Sequence, residues 1–158
     1  MDLSKLPPST PEEFTVVIEI PRGSQNKYEF DEASGTFVLD FVFKDLAFIE
    51  NYGFIPGTQG GDGDTLDAFV ATPQPLLQGA VVRCRPVGLL ETVDRGEVDN
   101  KIIAVPVAGH EAPIQTEKQF CEWFDFYQEV AHQKKKVIEV LGLHGLERAV
   151  EELRKAIK

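Results

Sequence analysis

The sequence predicts a mainly β fold: a small β-barrel with two helices added at its C-terminal end. Two observations point there. Residues 14–107 break into short β-branched and aromatic runs, separated by Gly, Pro and acidic turn signals. From residue 116 onward the apolar spacing becomes helical. A chain of 158 residues, 42% hydrophobic and 27% charged, fits one soluble globular domain spanning 1–158.

Taken in order, residues 1–12 are Pro-rich and polar and predict a loosely held arm. Thr15–Ile20 reads as the first strand, stopped by Pro21 and Gly23. Lys27-Tyr28-Glu29-Phe30 alternates polar and aromatic, so Lys27 and Glu29 share one face. Glu32-Ala33-Ser34-Gly35 is a hairpin turn into Thr36–Phe43. Leu66–Thr72, Gly79–Val93 (a long strand or a bent pair) and Lys101–Val107 follow. Thr116-x-x-Gln119 fits a capping box, and Phe120, Trp123, Phe124 and Tyr127 recur at helical spacing, predicting a helix over 116–131. Val137–Leu143 suits a strand or a helical turn, and a second helix follows Gly145. Together these predict a five-stranded, closed or partly open barrel of OB type with two flanking helices and its acidic loops at one mouth.

Net charge is −10, which argues against nucleic acid or an anionic membrane as partner. No apolar run approaches the ~20 residues of a membrane span, and the N-terminus shows no apolar signal core. Cys84 and Cys121 lack metal-ligand spacing and read as reduced thiols of a cytoplasmic protein. His110, His132 and His144 are scattered near loops and read as surface or packing residues.

The most informative stretch is Asp62-Gly63-Asp64-Thr65-Leu66-Asp67, three carboxylates in one loop. A second acidic turn holds Asp94, Glu97 and Asp99, closed by Lys101. Carboxylates brought this close repel one another, and a hard divalent cation with oxygen ligands relieves the repulsion. Alone, the first loop has other readings. It suits a solvated acidic turn. It breaks the alternation of an EF-hand calcium loop. It matches the D-x-D-x-T motif of aspartyl-phosphate phosphotransferases, but without their βαβ alternation.

Five co-linear stretches narrow the choice: Glu19–Glu29, Asn51–Pro56, Asp62–Asp67, Arg83–Gly88, and Asp94–Asp99 with Lys101–Pro106. In this order and spacing they resemble the soluble inorganic pyrophosphatases of the single-domain bacterial type. The resemblance implies Mg²⁺-dependent hydrolysis of inorganic pyrophosphate by direct attack of metal-activated water, with two or more ions and Mn²⁺ or Zn²⁺ as substitutes. It implies metal-binding roles for Asp62, Asp67, Asp94, Asp99 and Glu19. It gives the general-base role to Asp64, or in some accounts to Asp99. It assigns substrate phosphates to Lys27, Tyr52, Lys101 and Tyr127, a supporting role to Glu29, and a homo-oligomeric state, a hexamer. The alternative from a different class is a non-catalytic metal- and phosphate-binding homologue or assembly subunit.

The chain departs from that family at several points. Phe41 stands where an Arg that grips phosphate is expected, Gln128 where a Lys follows the tyrosine, and Phe48-Ile49 in place of Tyr-Pro. A charge-assisted hydrogen bond contributes ~1.5–3 kcal/mol, so each lost cation implies a penalty of about 10- to 100-fold. Lys44, Arg22, Arg95 and the Lys134-Lys135-Lys136 run are the candidates to compensate.

Overall fold

A computed structural model describes residues 1–109, 112–131 and 137–158. The elements in chain order are β1 (Phe14–Ile20), β2 (Asn26–Asp31), β3 (Thr36–Val42), β4 (Asn51–Ile55), β5 (Leu66–Val70), β6 (Val81–Asp94), β7 (Glu97–Val98), β8 (Lys101–Pro106), α1 (Glu117–Val130), β9 (Ile138–His144) and α2 (Leu146–Ala156). Strand β1 pairs antiparallel with β4, β4 with β5, β5 parallel with β8, β8 with β6, and β6 returns to β1. The five strands thus close into the expected barrel. The hairpin β2–β3 stands apart as a second sheet.

The long strand β6 is what closes the ring. Its first residues pair with β1, its middle with β8, and its end with β7 and β9. The ambiguity over Gly79–Val93 resolves as one strand, with a register shift between Pro86 and Gly88 that lets it bend from one partner to the next. Val137–Leu143 likewise resolves as a strand, β9, paired with the end of β6. Apolar side chains of β1, β4, β5, β6 and β8 fill the barrel, and Ala149, Leu153 and Ala156 of α2 seal it from outside.

Helix α1 begins with the expected capping box: Gln119 N–H donates to Thr116 Oγ1 at 3.2 Å, and Thr116 N–H donates to Gln119 Oε1 at 2.7 Å. Its buried stripe is Phe120, Phe124 and Gln128. Phe120 and Phe124 pack with Phe69, Leu90 and Ile103 on the outer face of the barrel. Residues 1–12 form a single 3₁₀ turn at Leu3–Lys5; Arg83 Nη1 donates to Pro8 O, 3.3 Å away. No described helix is long and apolar enough to cross a membrane.

Strand β4 was legible only as part of a motif, because Asn51-Tyr52-Gly53 carries turn-forming residue types. Its glycine is there for contact. Gly53 lies opposite Ile18 in β1, and a Cβ on it would meet Val17 O at 2.1 Å. No L side chain fits that gap without parting the two strands. Gly53→Ala is therefore expected to destabilise the fold by about 3 kcal/mol, the upper end of overpacking costs; urea denaturation measures it, and an unchanged midpoint contradicts the close approach.

Candidate active site

One cleft of about 330 Å³ opens beside the barrel. Strand register decides which side chains reach it. Asp67 and Lys101 are direct partners in the parallel pair β5–β8. Tyr52 lies diagonal to Asp67 across β4–β5, within reach for a cross-strand contact. Lys101 Nζ therefore meets Asp67 Oδ2 at 3.1 Å, Tyr52 Oη at 2.9 Å and Asp99 Oδ2 at 2.8 Å. The Tyr52 hydroxyl in turn donates to Asp67. Only 7% of the Lys101 side chain is exposed.

The two acidic loops meet through a second glycine. A Cβ on Gly61 would lie 3.1 Å from Val98 Cβ and 3.3 Å from Val98 O, so the first loop rests directly on β7. Within that loop Asp62 Oδ1 accepts the Asp64 N–H at 3.1 Å, and Gly60 N–H donates to Asp64 O at 2.7 Å. Asp62, Asp64 and Asp67 thereby line the same cleft as Asp94 and Asp99.

The opposite wall comes from β1, the β2–β3 hairpin and α1. Glu19 Oε2 accepts the Phe30 N–H at 2.8 Å. Lys27 Nζ lies 2.8 Å from Asp40 Oδ2 and 3.6 Å from Glu29 Oε1. Tyr127 joins a ring cluster with Phe43, Phe48 and Trp123. All eleven side chains singled out from the sequence line this one cleft: Glu19, Lys27, Glu29, Tyr52, Asp62, Asp64, Asp67, Asp94, Asp99, Lys101 and Tyr127.

Sequence reading passed over one participant, Asp40, and named another, Phe48, only as a departure from the family. Asp40 holds Lys27, and hairpin arithmetic about the turn at 32–35 already sets 27 against 40; a register shift after Lys27 then makes Phe41 its backbone partner. Phe48 lines the cleft where a tyrosine was expected, its ring centroid 5.8 Å from that of Tyr52 and 5.1 Å from that of Trp123.

The departures from the family pattern look different in three dimensions. Phe41 is 37% exposed and rests on Phe43, with ring centroids 4.8 Å apart, just outside the cleft. Gln128 is only 4% exposed and does not line the cleft. Its Oε1 accepts Val137 N–H and Ile138 N–H, both at 2.8 Å, and its Nε2 donates to Phe124 O and Ile138 O. Gln128, which stands where the resemblance expects a phosphate-binding Lys, ties α1 to β9 instead. Its place on the Phe120–Phe124 stripe, one step from Tyr127, is the signal that could have shown this. Arg22 is also committed elsewhere, to Glu50, Thr72 O and Pro73 O. Lys134, Lys135, Lys136, His110 and His132 lie outside the described residues; His144 pairs with Glu91 at 3.0 Å.

Seven carboxylates line the cleft against two ammonium groups. Burial, with Asp67 and Glu29 nearby, pushes Glu19 up to about 8 against the single hydrogen bond from Phe30. Burial and the neighbouring Asp99 and Asp64 raise Asp62. Burial and Asp67 lift the Tyr52 phenol well above its usual range, so it stays a donor. Burial alone would lower Lys101, but Tyr52, Asp67 and Asp99 hold it well above the ordinary range and fully charged. Surplus negative charge from oxygen donors is the chemistry a hard divalent cation satisfies. Among the described residues no three such side chains stand close enough to hold an ion as they are; Lys101 occupies the space between Asp67 and Asp99. The donor set and its charge fit a divalent cation.

Two outcomes follow from these environments. The Glu19 carboxyl keeps its proton up to about pH 8 in the fold but releases it near 4.5 when exposed. The folded chain then binds the extra proton, so stability of chelator-treated protein falls as pH rises through that window. Glu19→Gln should flatten this slope in thermal melts from pH 5 to pH 8 (about the same interval); an unchanged slope contradicts it. Gln128→Lys buries an ammonium and strips two backbone N–H groups of their acceptor. A loss of about 3–5 kcal/mol in denaturant unfolding is expected, with no gain of activity.

The family model described as "Inorganic pyrophosphatase" matches residues 16–158. The chain is 39% identical to the inorganic pyrophosphatase of Aquifex pyrophilus, over 100% of this chain and 96% of the relative. Its fold superposes on the crystal structure of the inorganic pyrophosphatase from Thermus thermophilus with a TM-score of 0.89 and 37% identity, covering 99% and 97% of the two chains. The enzyme from Neisseria gonorrhoeae gives 0.86 at 33% identity, covering 99% and 97%. With a cleft that gathers all five co-linear stretches except Arg83–Gly88 in one wall-to-wall constellation, and with these matches along its whole length, the chain belongs to the inorganic pyrophosphatase family.

Proposed function

We propose that this protein hydrolyses inorganic pyrophosphate to two phosphates with Mg²⁺, by direct attack of water and without a covalent intermediate. The observation that carries this reading is the single cleft in which two acidic loops face Lys27, Lys101 and two tyrosines. Asp62, Asp67, Asp94, Asp99 and Glu19 would hold the ions. When bound, these would neutralise a compact polyanion and acidify the attacking water.

The chain's own groups do the rest. Asp64 is exposed at the loop tip, where a carboxylate can take a proton from water. Tyr52, kept neutral by burial and Asp67, donates a hydrogen bond to a phosphoryl oxygen. Lys101, held by Asp67, Asp99 and Tyr52, would donate to the same phosphate. Lys27 and Tyr127 stabilise the opposite phosphate, with Glu29 and Asp40 steering the Lys27 ammonium. Preorganised donors of this sort contribute most where charge develops. By kinship a homo-oligomer, a hexamer, is proposed as well, in the cytoplasm.

Phe41 favours a second reading, a binding subunit without turnover, because it leaves the rim above Lys27 without a guanidinium. Phosphate release from Mg²⁺-pyrophosphate by purified protein separates the two. Turnover is expected, and Asp67→Asn should lower it ~10²–10³-fold, the usual effect of removing one preorganised electrostatic group. Phe41→Arg should raise kcat/KM about tenfold. Silence from the wild type that persists in Phe41→Arg would establish the binding subunit instead.

A further inference from the structure

Both ammonium groups in the cleft are already engaged: Lys27 by Asp40 and Glu29, Lys101 by Asp67, Asp99 and Tyr52. The Arg95 guanidinium contacts a carboxylate of the cleft wall. Arg95 follows Asp94 in the two-residue turn between β6 and β7, whose flanking residues Asp94 and Glu97 are register partners. Its Nη1 lies 3.0 Å from Asp94 Oδ1, and Asp94 lines the cleft. Its side chain is 62% exposed.

The backbone makes this arginine conspicuous. Arg95 has φ 50°, the only positive value for a non-glycine residue among those described. Two-residue hairpins of this type favour Asn, Asp or Gly at that position, because other side chains crowd their own backbone there. The Arg95 N–H donates to Val137 O at 2.9 Å, which pins the strained turn against the chain entering β9. A strained backbone under a charged side chain that touches Asp94, a residue of the cleft wall, is the pattern of a functional residue.

We propose that Arg95 is a substrate-binding residue of this cleft: its guanidinium grips a pyrophosphate oxygen and supplies the fork that Phe41 cannot. Asp94 holds the guanidinium until a polyanion competes for it. Arg suits the task because its planar donors can bind two phosphoryl oxygens at once. The inference rests on the pyrophosphatase reading above and adds a residue to it.

The test uses Arg95→Asn and Arg95→Lys in the full chain. Each is assayed for kcat and KM with Mg²⁺-pyrophosphate, for calorimetric binding of methylenediphosphonate with Mg²⁺, and for thermal unfolding. Arg95→Asn is expected to weaken analogue binding and raise KM about five- to tenfold, while its melting temperature holds or rises, because Asn tolerates positive φ. Arg95→Lys should recover part of the affinity through charge alone. The proposal is overturned if Arg95→Asn binds the analogue as the wild type does, or if affinity and melting temperature fall together, which marks a structural role. In either case an active wild type with an inactive Asp67→Asn leaves the pyrophosphatase reading standing. A wild type that neither binds nor hydrolyses overturns both.

Discussion

A single buried ammonium organises the site. Lys101 Nζ sits between Asp67 and Asp99, with the Tyr52 hydroxyl as a third contact, and its position is set by strand pairing rather than by any loop. The parallel register of β5 and β8 fixes residue 67 against 101. Removing one partner from such a buried group leaves an uncompensated charge, which costs far more than the pair contributes. Lys101 thus does two things. It offsets charge where the two acidic loops come face to face, and it holds Asp67 and Asp99 on either side of one ammonium.

The remaining carboxylates are not compensated in this way. Glu19 and Asp62 are raised by burial and by their acidic neighbours. Perturbed carboxyls of this kind cluster at functional sites. The fold around the cleft is built to hold them in place. The barrel closes through β6, Gly53 lets β4 lie against β1, and the aromatic cluster of Phe43, Phe48, Trp123 and Tyr127 forms an apolar floor. Trp123 Nε1 donates to Ala47 O at 2.9 Å, which fixes that floor to the chain between β3 and β4.

Much of this was legible in the sequence, for identifiable reasons. β-branched and aromatic runs bounded by turn signals located most strands, with Gly79–Val93 left open as one strand or a bent pair, and Thr116 with Gln119 located α1, because those signals are local. The acidic residues were legible because their spacing is unusual and recurs. What escaped was non-local. Asn51–Ile55 hid as a strand, since its glycine serves contact with β1 and not a turn. Gln128 was read only as a missing Lys beside Tyr127, although the helical period sets it one face away, with Phe124. Asp40 was within reach of hairpin arithmetic, but the register shift that brings Phe41 opposite Lys27 was not. Arg95 was visible as a cation; its strained backbone was not.

The central claim is that the two acidic loops jointly hold divalent cations. Anomalous scattering from crystals grown with Mn²⁺ tests it most directly. The account predicts peaks bounded by Asp62, Asp67, Asp94 and Asp99. Peaks confined to other surfaces at saturating Mn²⁺ would contradict it.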